Sequence, residues 1–286
     1  MILDPIPLPR KILDARSHTL VMGIINTTPD SFADGGKHFD AEVAVEAAVE
    51  MFRIGADIVD VGGESTRPGS LPVDSQEEIR RTIPVIREIG RRVPEGVISI
   101  DTRRKVVAEA AVEAGAQIIN DVSGFRDDPG LADIARETDA AVIVMHMLGE
   151  PRTMQQQIRY NSFPRDIHDF FAERIAALEE RGIQPEKIVI DPGIGFGKTF
   201  DQNLILINRL DYFQDLGRPI CLGASRKAFI GKILDKPDPA ERDLGTMAVV
   251  TAGVLRGAAI VRVHDVPAAL DACKVADAIV RETVAQ

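Results

Sequence analysis

The chain has 286 residues, 45% hydrophobic and 27% charged, enough to bury a large core and within the length of one α/β barrel. Acidic residues outnumber basic ones by 44 to 34, and the net charge of −10 argues against a nucleic-acid partner. No apolar run is long enough to span a membrane, and Pro5, Pro7 and Pro9 interrupt what a secretory signal would need. Cys221 and Cys273 supply neither metal-ligand spacing nor a disulfide framework, which points to a reducing, cytoplasmic setting.

In chain order, short β-branched runs predict strands over residues 20–25, 58–61, 97–100, 118–120, 141–146, 188–190, 220–222 and 260–264. Between them, helical periodicity predicts helices over 41–54, 75–93, 104–114, 164–181, 201–210, 242–256 and 266–281. Strands apolar on both faces, alternating with helices, predict a closed (β/α)8 TIM barrel. The rival topology is an open doubly wound sheet. No linker or low-complexity stretch divides the chain, so it reads as a single domain over 1–286, with 1–17 an amino-terminal extension and the barrel over about 18–282.

In such a barrel, chemistry sits where strands end and βα loops begin. The strand ends here are polar: Asn26-Thr-Thr-Pro-Asp-Ser-Phe-Ala-Asp-Gly-Gly36, Gly62-Gly-Glu-Ser-Thr-Arg-Pro-Gly69, Asp101-Thr-Arg103 and Asn120-Asp-Val-Ser-Gly124. Then follow Met145-His-Met147, Asp191-Pro-Gly-Ile-Gly-Phe-Gly-Lys198, Gly223-Ala-Ser-Arg-Lys227 and Arg262-Val-His-Asp265. Asp101, Asn120 and Asp191 suit a flat heterocycle with several N–H and C=O edges, and Val122, Met145 and Phe196 are placed to clamp its faces. Arg67, Lys227, Arg262 and His264 form a cationic set fitted to phosphate oxygens. Asn26 and Asp34 are hard oxygen ligands of the kind Mg²⁺ accepts alongside phosphates and water.

Each signal alone has a plainer reading. Asp101 and Asp191 are each explained by a helix N-cap, His146 by packing, His168 by surface exposure, and Glu77-Glu78 with Arg80-Arg81 by a solvated helix face. The run Gly193-Ile-Gly-Phe-Gly-Lys-Thr199 is not a P-loop, because that pattern needs glycine where Pro192 stands.

The same motifs, in order and over most of residues 20–280, resemble dihydropteroate synthases. That resemblance implies a folate-synthesis transferase that joins 6-hydroxymethyl-7,8-dihydropterin diphosphate to p-aminobenzoate, giving 7,8-dihydropteroate and pyrophosphate. It implies a pterin pocket of Asp101, Asn120, Asp191 and Lys227 lined by Val122, Met145, Phe196 and Gly223. A diphosphate site follows on Asn26, Thr66, Arg67, Arg262 and His264, with Mg²⁺ at Asn26 and Asp34. The p-aminobenzoate site falls on Phe32, Pro68, Ser225 and Arg226, partly on two extended, mobile loops after strands 1 and 2. Asp101, Lys227, Arg262, His264 and Arg67 are the expected catalytic groups. The resemblance also implies a homodimer, sulfonamide sensitivity and diphosphate departure before amine attack on a pterin carbocation. Ala228 departs from the serine many members carry after the lysine of the Ser225-Arg-Lys227 motif. Alternatives are a methyltransferase passing a methyl group from methyltetrahydrofolate to a corrinoid, a catalytically silent pterin-binding paralogue and an unrelated phosphate-binding barrel.

Overall fold

The computed structural model describes residues 18–28, 41–66 and 69–282. Eight parallel strands close into a barrel in chain order, with β8 paired back to β1. They are β1 (Leu20–Asn26), β2 (Ile58–Gly62), β3 (Val97–Asp101), β4 (Ile118–Asp121), β5 (Ala141–Met145), β6 (Ile188–Asp191), β7 (Ile220–Leu222) and β8 (Ala258–Val263). Around them lie α1 (Ala41–Arg53), α2 (Ser75–Arg92), α3 (Lys105–Glu113), α4 (Gly130–Thr138), α5 (Arg165–Glu180), α6 (Phe200–Asn208), α7 (Ala228–Leu234), α8 (Asp243–Val254) and α9 (Val266–Arg281). The predicted TIM barrel is the observed fold, and the open sheet is excluded by closure. No helix among the described residues is long and apolar enough to cross a membrane.

Strand parity explains both the core and the site. Val21, Val59, Val61, Ile98, Ile100, Val142, Val144 and Val261 face outward into the layer shared with the helices. Leu20, Met22, Ile58, Val97, Ile118, Ile143, Val189, Cys221 and Ile260 fill the barrel interior. Two residues further along β2, β3, β4, β6 and β8, the inward face turns polar, with Asp60, Ser99, Asn120, Asp191 and Arg262. Both cysteines are buried and free.

Sequence-based prediction misses α4 and α7, for different reasons. α4 opens at Gly130 directly after Pro129, a dipeptide that reads as a turn, although Leu131, Ala132, Ile134 and Ala135 form its buried stripe. α7 carries Gly231 mid-helix, where a Cβ would sit 2.4 Å from Arg242 Nε and 2.5 Å from the Lys236 carbonyl. The glycine lowers helix propensity but admits the Arg242 guanidinium that ties the α7–α8 connection together. The predicted helix start at 242 is a 3-10 turn, Pro239–Arg242, running into α8.

Candidate active site

The polar inward residues meet at the carboxyl end of the barrel. Arg262 donates from Nε to Asp60 Oδ2 at 2.6 Å and from Nη2 to Asp101 Oδ2 at 2.9 Å. Asn120 Nδ2 donates to the same Asp60 oxygen at 3.1 Å. Burial works against the Arg262 charge, but the two carboxylates overcome it and raise its pKa. Asp101 is pushed up by burial, which the Arg262 guanidinium opposes and the Asp60 charge reinforces. Neither Asp101 nor Asp191 is the N-cap of the following helix; those positions belong to Arg104 and Thr199. The capping explanation therefore fails for both.

Asp191 ends β6 in a buried position, with Oδ1 accepting from the Gly193 N–H at 2.7 Å. Burial raises its pKa against the pull of that N–H and of Arg262, Lys198 and Lys227. Any side chain at Gly223 would place its Cβ 3.3 Å from Asp191 Oδ2, so glycine keeps that oxygen uncrowded. Val122, Met145, Met147, Met154 and Phe196 pack as one apolar cluster beside these groups. Lys227 Nζ lies 4.0 Å from the centre of the Phe196 ring, a cation–π contact. The structure thus brings together Asp101, Asn120, Asp191, Arg262 and, around Phe196, the apolar clamp and Lys227.

His264 needs a correction. Burial, with Arg226, Arg262 and Lys227 nearby, pushes its pKa down to about 3, so it is a neutral imidazole and not part of a cationic set. The Ser225 hydroxyl accepts from the His264 backbone N–H at 3.2 Å and lies 2.9 Å from Nδ1. A hydroxyl donating to Nδ1 assigns the tautomer with Nε2–H, a donor suited to an anion. Ser225→Ala frees the tautomer and is expected to lower kcat/KM for a substrate whose anionic group is held at His264 by about fivefold, near 1 kcal/mol. Affinity for an analogue lacking that anionic group should stay unchanged; a parallel loss in both would contradict this role.

Arg226 is held against the start of α8. Its guanidinium is neutralised by a bidentate pair to Asp243 at 2.7 and 2.8 Å, and its backbone N–H donates to Thr246. Its charge is therefore not free for a carboxylate ligand.

Two structural devices were not recognised from sequence. In the β6 loop, buried Lys198 donates from Nζ to His146 Nδ1 at 2.9 Å and to the His146 carbonyl at 2.8 Å. Burial drives the pKa values of both side chains well down. His146 is the packed residue that sequence suggested, and its partner is the lysine of the P-loop-like run. Gly193 has φ +68°, and its Cβ would lie 2.1 Å from the His146 carbonyl oxygen, so only glycine lets the two loops approach this closely.

The second device anchors the loop after β2. Arg104 donates to Glu64 and to the Val73 carbonyl and also pairs with Glu78, while Arg81 donates to the Gly63 carbonyl at 3.0 Å. Glu78 is completely buried, and burial raises its pKa. Glu77 and Arg80 thus form the expected solvated pair, whereas Glu78 and Arg81 clamp the feet of the loop that carries Thr66.

Thr27 starts the loop after β1 by donating from its N–H and hydroxyl to the Gly62 carbonyl, at 2.8 and 3.0 Å. Asn26 is half-buried at the mouth, in register with Gly62. Phe32, Asp34, Arg67 and Pro68 lie outside the described residues. Among the described residues no group of three His, Cys, Asp or Glu side chains is placed to hold a metal.

Comparison with known proteins identifies the architecture. The family model for pterin binding enzymes matches residues 22–264. A dihydropteroate synthase from Synechocystis is 46% identical over 97% of this chain and 96% of its own. One from Escherichia coli is 44% identical over 92% of each chain. Among solved structures, Yersinia pestis dihydropteroate synthase with a sulfonamide drug complex aligns with TM-score 0.88 and 37% identity, covering 93% of this chain and 96% of that one. The Xanthomonas albilineans enzyme in complex with 7,8-dihydropteroate aligns with TM-score 0.82 and 39% identity, covering 92% and 94%. With a closed barrel whose carboxyl end gathers Asp101, Asn120, Asp191 and Arg262, this chain belongs to the dihydropteroate synthase family of pterin-binding enzymes.

Proposed function

We propose that this mouth condenses 6-hydroxymethyl-7,8-dihydropterin diphosphate with p-aminobenzoate, with the residue roles that follow. The observation that carries the reading is the convergence of Asp101, Asn120 and Asp191 around Arg262, beside the Phe196–Lys227 contact. A relative in complex with 4-aminobenzoic acid and one in complex with 7,8-dihydropteroate support the same second substrate and the same product here.

Asp191 and Asn120 hold the N–H and C=O edges of the pterin, and Phe196 with Met145 and Val122 covers its faces. The bond between the exocyclic methylene carbon and the diphosphate oxygen breaks first, and the electron pair leaves with the diphosphate. Lys227, the Nε2–H of His264 and Arg67 take up the growing negative charge, while Asp101 and Asp191 favour a ring that becomes positive. Both effects strengthen towards the transition state, so they raise kcat as well as affinity. The amine nitrogen of p-aminobenzoate then bonds to the methylene carbon and loses one proton. Phe32, Pro68 and Ser225 border that second substrate, and sulfonamides compete for its place, in keeping with the Yersinia pestis drug complex.

Asn26 contributes an amide oxygen at the strand end, and Asp34 would add a carboxylate. Two hard oxygens suit Mg²⁺, which keeps several waters and takes substrate phosphate oxygens as its remaining ligands. When bound, the ion would neutralise charge on the diphosphate. A chelator in excess is expected to abolish turnover while leaving binding of a phosphate-free pterin unchanged; full turnover would remove the metal from this reading.

The partner is a second copy of the chain. Leu204, Phe229, Ile233, Leu234 and Leu255 line an apolar groove of about 470 Å³ between α6, α7 and α8, and Leu244 nearby is 80% exposed. Sedimentation should give twice the monomer mass; a monomer at micromolar concentration would contradict the assignment. Two buried free cysteines and the net charge of −10 fit a cytoplasmic enzyme of small substrates with no nucleic-acid partner.

A further inference from the structure

Asp60 has no part in the reaction described above, yet it joins Arg262 and Asn120, two of the groups that converge at the mouth. It lies on the inward face of β2, fully buried. One oxygen, Oδ2, accepts from both Arg262 Nε on β8 and Asn120 Nδ2 on β4. The other, Oδ1, has no hydrogen-bond partner among the described residues, nor does the buried hydroxyl of Ser99, its register neighbour on β3.

A buried carboxylate with one unpaired oxygen destabilises a fold, and an amide or apolar residue of its size would cost the barrel less. What it contributes is geometry. Arg262 Nη2 is held by Asp101, so a second carboxylate on Nε leaves the guanidinium plane no freedom to turn. The same Asp60 atom fixes which way the Asn120 amide faces, because only an N–H₂ group can donate to it.

We infer that Asp60 is a positioning residue for pterin recognition, setting Arg262 and Asn120 together through its single Oδ2 atom. The inference rests on the pterin reading of the site. Asp60→Asn keeps an oxygen that can accept from both donors but loses the charge that holds the Arg262 guanidinium, and Asp60→Ala keeps neither.

Calorimetry with phosphate-free 6-hydroxymethylpterin should show affinity about tenfold weaker in Asp60→Asn and weaker still in Asp60→Ala. KM for p-aminobenzoate should change by less than about twofold, and Asp60→Asn should melt no lower than the parent. Two results would overturn the inference: unchanged pterin affinity in both folded variants, or a melting temperature of Asp60→Asn that falls together with binding of both substrates, the signature of a purely structural role. A parent protein that fails to bind 6-hydroxymethylpterin would instead overturn the pterin reading, a different failure seen before any variant is made.

Discussion

Asp191→Asn is expected to lower kcat/KM for the pterin diphosphate by about a hundredfold while leaving the protein at least as stable as the parent. Asp191 is 5% exposed, and its Oδ1 accepts from the Gly193 N–H. In the variant the amide oxygen can keep that bond, which directs its N–H₂ group to where Oδ2 stood. A pterin presenting N–H donors there would meet donors, and a buried donor without an acceptor costs about 1–3 kcal/mol beyond the lost charge-assisted bond. Stability moves the other way. Burial raises the Asp191 pKa, which means that its charge is unfavourable in the folded protein, and a neutral amide removes that cost. Steady-state kinetics and a thermal melt together check both halves; unchanged pterin affinity would remove Asp191 from the pocket.

The second large effect is structural and catalytic at once. Arg262→Met leaves Asp60 and Asp101 buried without their shared cation, a change that typically costs about 3–5 kcal/mol. Turnover should fall to background, because the same substitution unfixes Asn120 and the carboxylate pair. Its pH dependence has a definite sign. Without the guanidinium, Asp101 loses the cation that opposes the effect of its burial and binds a proton more readily in the folded variant than in the unfolded chain. Falling pH then stabilises the folded variant, so its deficit against the parent should narrow between pH 8 and pH 5, over the range above the ordinary carboxylate pKa of about 4. Denaturant titrations at several pH values measure this directly. A deficit that stays constant across that range would mean that the carboxylates are not what Arg262 compensates. Arg262→Lys should rescue stability in part and activity little, since an ammonium cannot bridge two carboxylates in one plane.

Where sequence reading succeeded, it rested on position. Runs of three to six residues rich in β-branched side chains mark the strands, and the residues that end them are the ones gathered at the mouth. Asp101, Asn120 and Asp191 were readable because an acidic or amide side chain directly after an apolar run breaks its pattern. Asp60 breaks a run in the same way, inside Ile58-Val-Asp-Val61, and counting alternate residues back from the strand end would have placed it inward. Lys198 was seen only as part of a P-loop that fails at Pro192; its burial against His146 depends on two loops far apart in the chain. The neutrality of His264 was equally hidden, since it follows from burial and from arginines and a lysine on other elements. Glu78 and Arg81 have the spacing of a surface helix, and only the course of the loop after β2 turns them inward.

The most direct test of the account is pyrophosphate release from 6-hydroxymethyl-7,8-dihydropterin diphosphate with Mg²⁺, measured with and without p-aminobenzoate. Release that requires p-aminobenzoate, is blocked by a sulfonamide and is matched by 7,8-dihydropteroate formation is the predicted result. Tight pterin binding with no release under any of these conditions would contradict it, and would return the chain to the silent paralogue or the corrinoid methyltransferase.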